Sequence, residues 1–172
     1  MRFNLNLEHD TYKKLETVIG DFEKINEQFQ AQKSEACVKF KTAFELFMKD
    51  FFTLVPMVKQ VRWDQYTPYF NDGDSCTFSV NEPYFSNFIH DSDDFDDEED
   101  TKQKQDNWEI STWDIRDKEY EQYGMTEEQK NLVQYVNDII YGNEEFFYDI
   151  FGDHQQIVIT KDGINHDYYE HD

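Results

Sequence analysis

No glycine or proline interrupts the chain between Asp21 and Val55, and apolar residues return through that region at steps of three and four. Leu15, Ile19, Phe22 and Phe29 form one series, with Val18 and Ile25 beside it; Phe40, Phe44, Phe47, Phe51, Leu54 and Val58 form a second. A period near 3.6 puts each series on one face of a helix, so this part of the chain is predicted helical. Between the two series lies the polar run QFQAQKSE, residues 28–35, and the second stripe is out of phase with the first. Two arrangements satisfy this pattern. One is a single long helical arm whose apolar face rotates, and the other is a helical hairpin that folds back near residues 30–34, with Ser34 as the second N-cap. The hairpin is the preferred expectation. Pro56 should stop the second stripe close to Leu54, because proline lacks an N–H and restricts the residue before it.

Charge divides the chain. Its 172 residues carry 38 Asp and Glu against 16 Lys and Arg, a formal charge of -22. Chains this acidic commonly stay unfolded, but 16 Phe, 11 Tyr and 3 Trp supply enough apolar surface for a core. Residues 1–62 hold ten basic and nine acidic side chains, whereas residues 63–172 hold six and 29. The expected organisation is therefore a nearly neutral helical segment over 1–60 and an acidic domain over 61–172. Sequence-independent nucleic-acid binding by the whole surface is excluded, since it draws on clustered Lys and Arg and the release of counterions. No direct nucleic-acid partner is expected. No window approaches eighteen apolar residues, and Glu8, Asp10 and Glu16 stand where a secretory signal needs a basic start and an apolar centre. A cytoplasmic protein without a membrane partner is expected. Cys37 and Cys76 have no CxxC spacing and read as reduced, packed thiols.

Beyond Val61 the period shortens. Residues 61–67 and 75–80 read as two strands joined by a turn at Asn71, Asp72, Gly73 and Asp74, with Cys76, Phe78 and Val80 facing inward. Another strand is expected over 108–115 (WEISTWDI). Thr126 and Gln129 form a capping-box pair ahead of a helix that buries Leu132, Val136, Ile139 and Ile140, with Gly142 at its end. Asn143 should cap a shorter helix with Phe146, Phe147, Ile150 and Phe151 on its apolar face and Gly152 after it. A hairpin closes the pattern: residues 156–160, a turn at Lys161-Asp162-Gly163, then 164–169. The predicted fold class is α+β, a helical hairpin or arm followed by a small antiparallel sheet with two or three packed helices. Between the predicted strands, residues 91–100 (DSDDFDDEED) hold eight acids and no base, and 91–106 is expected to be a solvated insertion.

Residues 66–80, YTPYFNDGDSCTFSV, resemble a segment of an uncharacterised family of phage and bacterial proteins that begin with a helical arm. The resemblance implies a phage or bacterial setting and carries over no functional residue. In their own right, Pro68, Asn71, Asp72 and Gly73 are turn chemistry, while Trp63, Tyr66, Tyr69, Phe70 and Phe78 supply aromatic packing or a binding loop. An EF-hand started at Asn71 fails, because Cys76 would occupy its glycine position.

No GxSxG, HExxH, GxxxxGK[ST] or GxGxxG pattern is present, and the chain is expected not to be an enzyme and to need no cofactor. Asp64, Asp72, Asp74 and Glu82 are the acids to inspect for a carboxylate pair. His154, His166 and His171, near Asp153, Asp167, Glu170 and Asp172, are the weak candidates for a metal site and hence for a metal-dependent hydrolase. The leading expectation is a non-enzymatic acidic protein that imitates the phosphate lattice of DNA. It would be a phage-encoded inhibitor acting in the host cytoplasm on a basic, nucleic-acid-handling host protein. The residues expected to meet that partner are Asp114, Asp117, Glu119, Glu121, Glu127, Glu128, Asp138, Glu144, Glu145 and Asp149, with Trp63, Tyr66 and Tyr69 as anchors. The alternative is a structural module that forms a homo-oligomer through the N-terminal helices, the remainder of the 40–58 stripe seeking an identical coiled-coil partner.

Overall fold

The computed structural model describes residues 9–70, 73, 75–89 and 107–170. Outside them lie His90, His171, the acidic insertion 91–106, and Asn71, Asp72 and Asp74 of the predicted turn. The fold is α+β, and the chain forms two compact units, Met1–Phe40 and Lys41–Asp172.

Helix α1 runs without a break over His9–Leu54. The preferred hairpin is therefore replaced by its alternative, the single long helix. Gln, Ala, Lys and Glu dominate the polar run at 28–35, and all are good helix formers. Extending an existing helix costs no new nucleus, so a polar face is no reason to stop. In the first unit Tyr12, Leu15, Val18, Ile19, Phe22, Ile25 and Phe29 are all exposed.

The second unit begins inside α1. Phe44, Met48, Phe51, Phe52, Val55 and Val58 are buried, so much of the later stripe is spent on a core, while Phe40 and Phe47 are half-buried and Leu54 is exposed. The buried residues pack against a six-stranded antiparallel sheet of β1 (Gln60–Tyr66), β2 (Ser79–Val80), β3 (Tyr84–Ser86), β4 (Glu109–Ile110), β5 (Gln155–Thr160) and β6 (Gly163–Tyr168). Strand order is β4-β3-β1-β5-β6, with β2 pairing the far end of β1. Register places Val61 opposite Phe85 and Ile159, and Trp63 opposite Ile157, so one face of three strands is apolar. Helix α2 (Glu127–Gly142) buries Val133, Val136 and Ile140, and α3 (Glu144–Phe151) buries Phe147 and Phe151. Leu132 and Ile139, expected to be buried, are only partly so. Trp63, Phe44 and Phe147 meet edge to face, with ring centroids 5.1 to 6.4 Å apart.

Two predicted strands shrink, each for a local reason. Thr67 donates its N–H to the Asp153 carboxylate at 2.7 Å and Pro68 has none to give. Residues 75–78 therefore have no continuing β1 to pair with, and β2 keeps only Ser79 and Val80; Cys76 is exposed rather than packed. After Ile110, Ser111 donates to Asp114 Oδ2 at 2.7 Å and Trp113 N–H to Ser111 Oγ at 3.2 Å. These short-range bonds turn the chain before a strand over 108–115 can form. In the closing hairpin Thr160 pairs with Gly163, whose φ of 152° takes the positive angle that the expectation gave to an Asp-Gly turn.

At the centre of the core lies Gln65, fully buried. Its Nε2 donates to Phe147 O at 3.1 Å and Gly152 O at 2.7 Å, and its Oε1 accepts from Trp63 Nε1 at 3.3 Å. One amide thus ties β1 to α3 and its end. Replacing it by leucine leaves an indole N–H and a carbonyl dry and unbonded, at about 1–3 kcal/mol for each buried group. Gln65→Leu should lower unfolding free energy by at least about 2 kcal/mol in denaturant titration; an unchanged midpoint would contradict this role.

Candidate functional site

Carboxylates converge on the 3-10 helix Glu119–Tyr123 and the elements either side of it. Thr126 opens α2 by accepting from Gln129 N at 3.3 Å, while Gln129 Oε1 accepts from Thr126 N at 2.9 Å, as the spacing predicted. Glu127 and Glu128 thereby fall in the first turn, where the helix dipole favours negative charge. Glu128 also accepts from Thr126 Oγ1 at 3.0 Å. The phenol of Tyr120 has its pKa raised by partial burial first, then by the fields of Glu127, Glu121 and Glu128. Tyr123 is raised by burial, then by Asp114 and Glu119. Two neighbouring phenols thus register five of the ten acids expected at a partner surface. Asp117 stands in the turn before them, exposed and with φ of 53°, a conformation that Asp tolerates.

The remaining acids are placed elsewhere. Glu144 accepts from Val80 N at 3.3 Å, ties α3 to β2, and with Glu82 raises Tyr141, again after burial. Glu145 and Asp149 are exposed one turn apart on α3, and Asp138 is exposed on α2. Glu82 accepts from Thr112 Oγ1 at 3.0 Å and Asp64 from Gln156 Nε2 at 2.9 Å, so both described members of the proposed carboxylate set have structural partners.

The expected anchors need correction. Trp63 is 1% exposed and belongs to the core, because β1 is central and its alternate residues face α1. Trp113 takes its place at the surface, 58% exposed among the acids, with the Arg116 guanidinium 3.0 Å from its ring centroid. The mixed faces of WEISTWDI were the only signal that this tryptophan is not packed like the others.

Tyr66 and Tyr69 do cluster, but around a histidine. His154, with φ of 53° and a side chain only 14% exposed, stacks on Tyr69 at 4.7 Å and Tyr66 at 6.3 Å. Its Nε2 lies 4.0 Å from Asp153 Oδ1, and among the described residues its Nδ1 has no hydrogen-bond partner. Tyr69 and Tyr168 share a hydroxyl contact of 3.4 Å. His166 turns to Gln155 Oε1 at 2.9 Å and to the Phe151 ring. Among the described residues no group of three His, Cys, Asp or Glu could hold a metal ion, and His171 lies outside them. A separate cavity of about 390 Å³ lies between α1 and the β5–β6 turn, lined by Glu45, Met48, Lys49, Lys161 and Asp162 among others. None of the acids, aromatics or histidines proposed from the sequence as site residues lines it.

Comparison with protein-family models, with curated proteins and with solved structures finds no match to this chain. No described helix is long and apolar enough to cross a membrane.

Five tyrosines have raised pKa values: Tyr120, Tyr123, Tyr141 and Tyr169 chiefly by burial, and Tyr69 by its bond to Tyr168 first. A phenol held above its unfolded value of about 10 binds its proton more tightly in the folded state. The stability this contributes is whole below about pH 10 and is lost as pH rises through the raised values. Phenolate absorbance of the native protein should accordingly titrate at higher pH than that of the denatured chain, and coincident curves would refute it.

Proposed function

We propose that this chain is a non-enzymatic acidic interaction protein that binds a basic surface on a nucleic-acid-handling host protein, occupying it as DNA would. The reading rests on one observation, the convergence of Asp114, Glu119, Glu121, Glu127 and Glu128 on two adjacent tyrosines in an ordered element. Over residues 107–153 twelve acids stand against three basic residues, so this stretch is strongly net negative, with Arg116 held over Trp113 and Lys130 over Tyr120. Charges of this kind steer association and fix register, while an exposed aromatic such as Trp113 supplies the part of the contact that excludes water. A phage-encoded inhibitor acting in the host cytoplasm is the setting in which such a decoy has a use, and the resemblance over residues 66–80 favours it. A second reading, self-association, is favoured by the exposed apolar residues between Tyr12 and Phe29. The metal-dependent hydrolase is not carried forward, since its described histidines face tyrosines, a glutamine and a phenylalanine.

The test is retention of a bacterial lysate on immobilised protein with elution by salt. A single stoichiometric partner released at moderate to high salt is expected. The variant Asp117→Asn/Glu119→Gln/Glu121→Gln/Glu127→Gln, with its fold checked by circular dichroism, should release that partner at markedly lower salt, and Trp113→Ala should weaken it without changing the salt dependence. Equal retention by the neutralised variant would end the reading.

A further inference from the structure

The exposed face of the first unit has a stricter order than amphipathicity requires. Leu15, Val18, Phe22, Ile25 and Phe29 follow one another at steps of three, four, three and four. That is the heptad repeat of a coiled-coil seam, with Leu15, Phe22 and Phe29 at position a and Val18 and Ile25 at d. All five are between 39% and 68% exposed along a helix that runs uninterrupted through them. A surface helix with no tertiary role for this face would have no cause to keep phenylalanine there.

We propose that this seam pairs with the same seam of a second copy, antiparallel, with Phe22 facing Ile25 of the other chain. The inference rests on the self-association reading and specifies its geometry. Two features select the second copy and the direction. In the antiparallel register each phenylalanine meets a β-branched residue, Phe22 against Ile25 and Phe29 against Val18, so large faces small in both layers. A parallel, in-register pair would instead stack Phe22 on Phe22 and Phe29 on Phe29, with the bulky residues at a and the β-branched ones at d, the reverse of the two-stranded preference.

Flanking charges decide the register. The g positions are Lys14, Asp21, Gln28 and Glu35. With Phe22 opposite Ile25, Lys14 comes to Glu35 of the other chain at both ends of the seam, and Asp21 to the neutral Gln28. Shifting by one heptad in one direction sets Asp21 against Asp21, and in the other sets Asp21 against Glu35. Only the central register joins opposite charges and avoids like ones. Glu35 already bonds Lys39 along its own helix at 2.6 Å, but both side chains are about two-thirds exposed or more, and such a pair leaves the carboxylate able to accept a second cation.

The test uses the full chain. Light scattering across a concentration series should give the mass of a dimer, and Phe22→Glu, a change at an exposed position, should give a monomer with unchanged helicity. Lys14→Glu and Glu35→Lys should each weaken the dimer at least about fivefold at low salt, and the double variant should restore it. A wild-type monomer at all concentrations would overturn both the pairing and the self-association reading. A dimer that Phe22→Glu abolishes but the charge exchange does not restore would overturn the antiparallel register alone, leaving self-association in place.

Discussion

A buried amide fixes how the elements of the second unit meet. Gln65 sits on the central strand with no exposure, and it satisfies the Trp63 indole while holding the carbonyls of Phe147 and Gly152. Apolar side chains on a sheet face and a helix stripe can slide past one another at small cost, since dispersion has little direction. An amide with partners on three sides cannot. It sets the azimuth of α3 over the sheet, and with it the plane in which Phe147 meets Phe44 and Trp63. Because leaving such groups dry costs more than making the bonds gains, the arrangement excludes alternatives as much as it stabilises this one.

Parts of the fold with a local cause were legible in the sequence. The Thr126–Gln129 box, the stop near Leu54 ahead of Pro56, and the closing hairpin each rest on residues a few positions apart, and each stands where those residues placed it. Elements decided by competition were not. Residues 111–114 satisfy one another and end β4 early, and the three-residue β3, following Pro83, is too short to show a period. The break imagined near Ser34 failed because a polar helix face and a turn use similar residues, and only the cost of nucleation separates them.

The candidate surface was legible as a quantity of charge but not as a place. Composition could not say which acids share a neighbourhood, because that is set by a turn and a 3-10 helix ahead of the capped helix, and neither the turn nor the 3-10 helix has a strong apolar period. Composition did not separate Trp63 from Trp113 either, and the mixed faces of residues 108–115 were the one sequence hint; centrality in the sheet buries one and a short-range turn exposes the other. Several acids have a structural reason independent of any partner. Glu127 and Glu128 offset the positive end of α2, and Glu144 and Glu145 that of α3. The same side chains can therefore stabilise the fold and present charge, and a helix start is an economical site for both.

One side chain joins events that the chain separates. Besides closing the capping box of α2, Gln129 donates through Nε2 to the carbonyl of Leu54 at 2.8 Å, across 75 residues, and so caps the last turn of α1. Helix ends ordinarily fray independently, each opening in its own time and at little free-energy cost. Here the closing of one end supplies the partner that closes the other. The last turn of α1 and the first of α2 are thus coupled through one side chain, so that fraying at either end removes a hydrogen bond from the other.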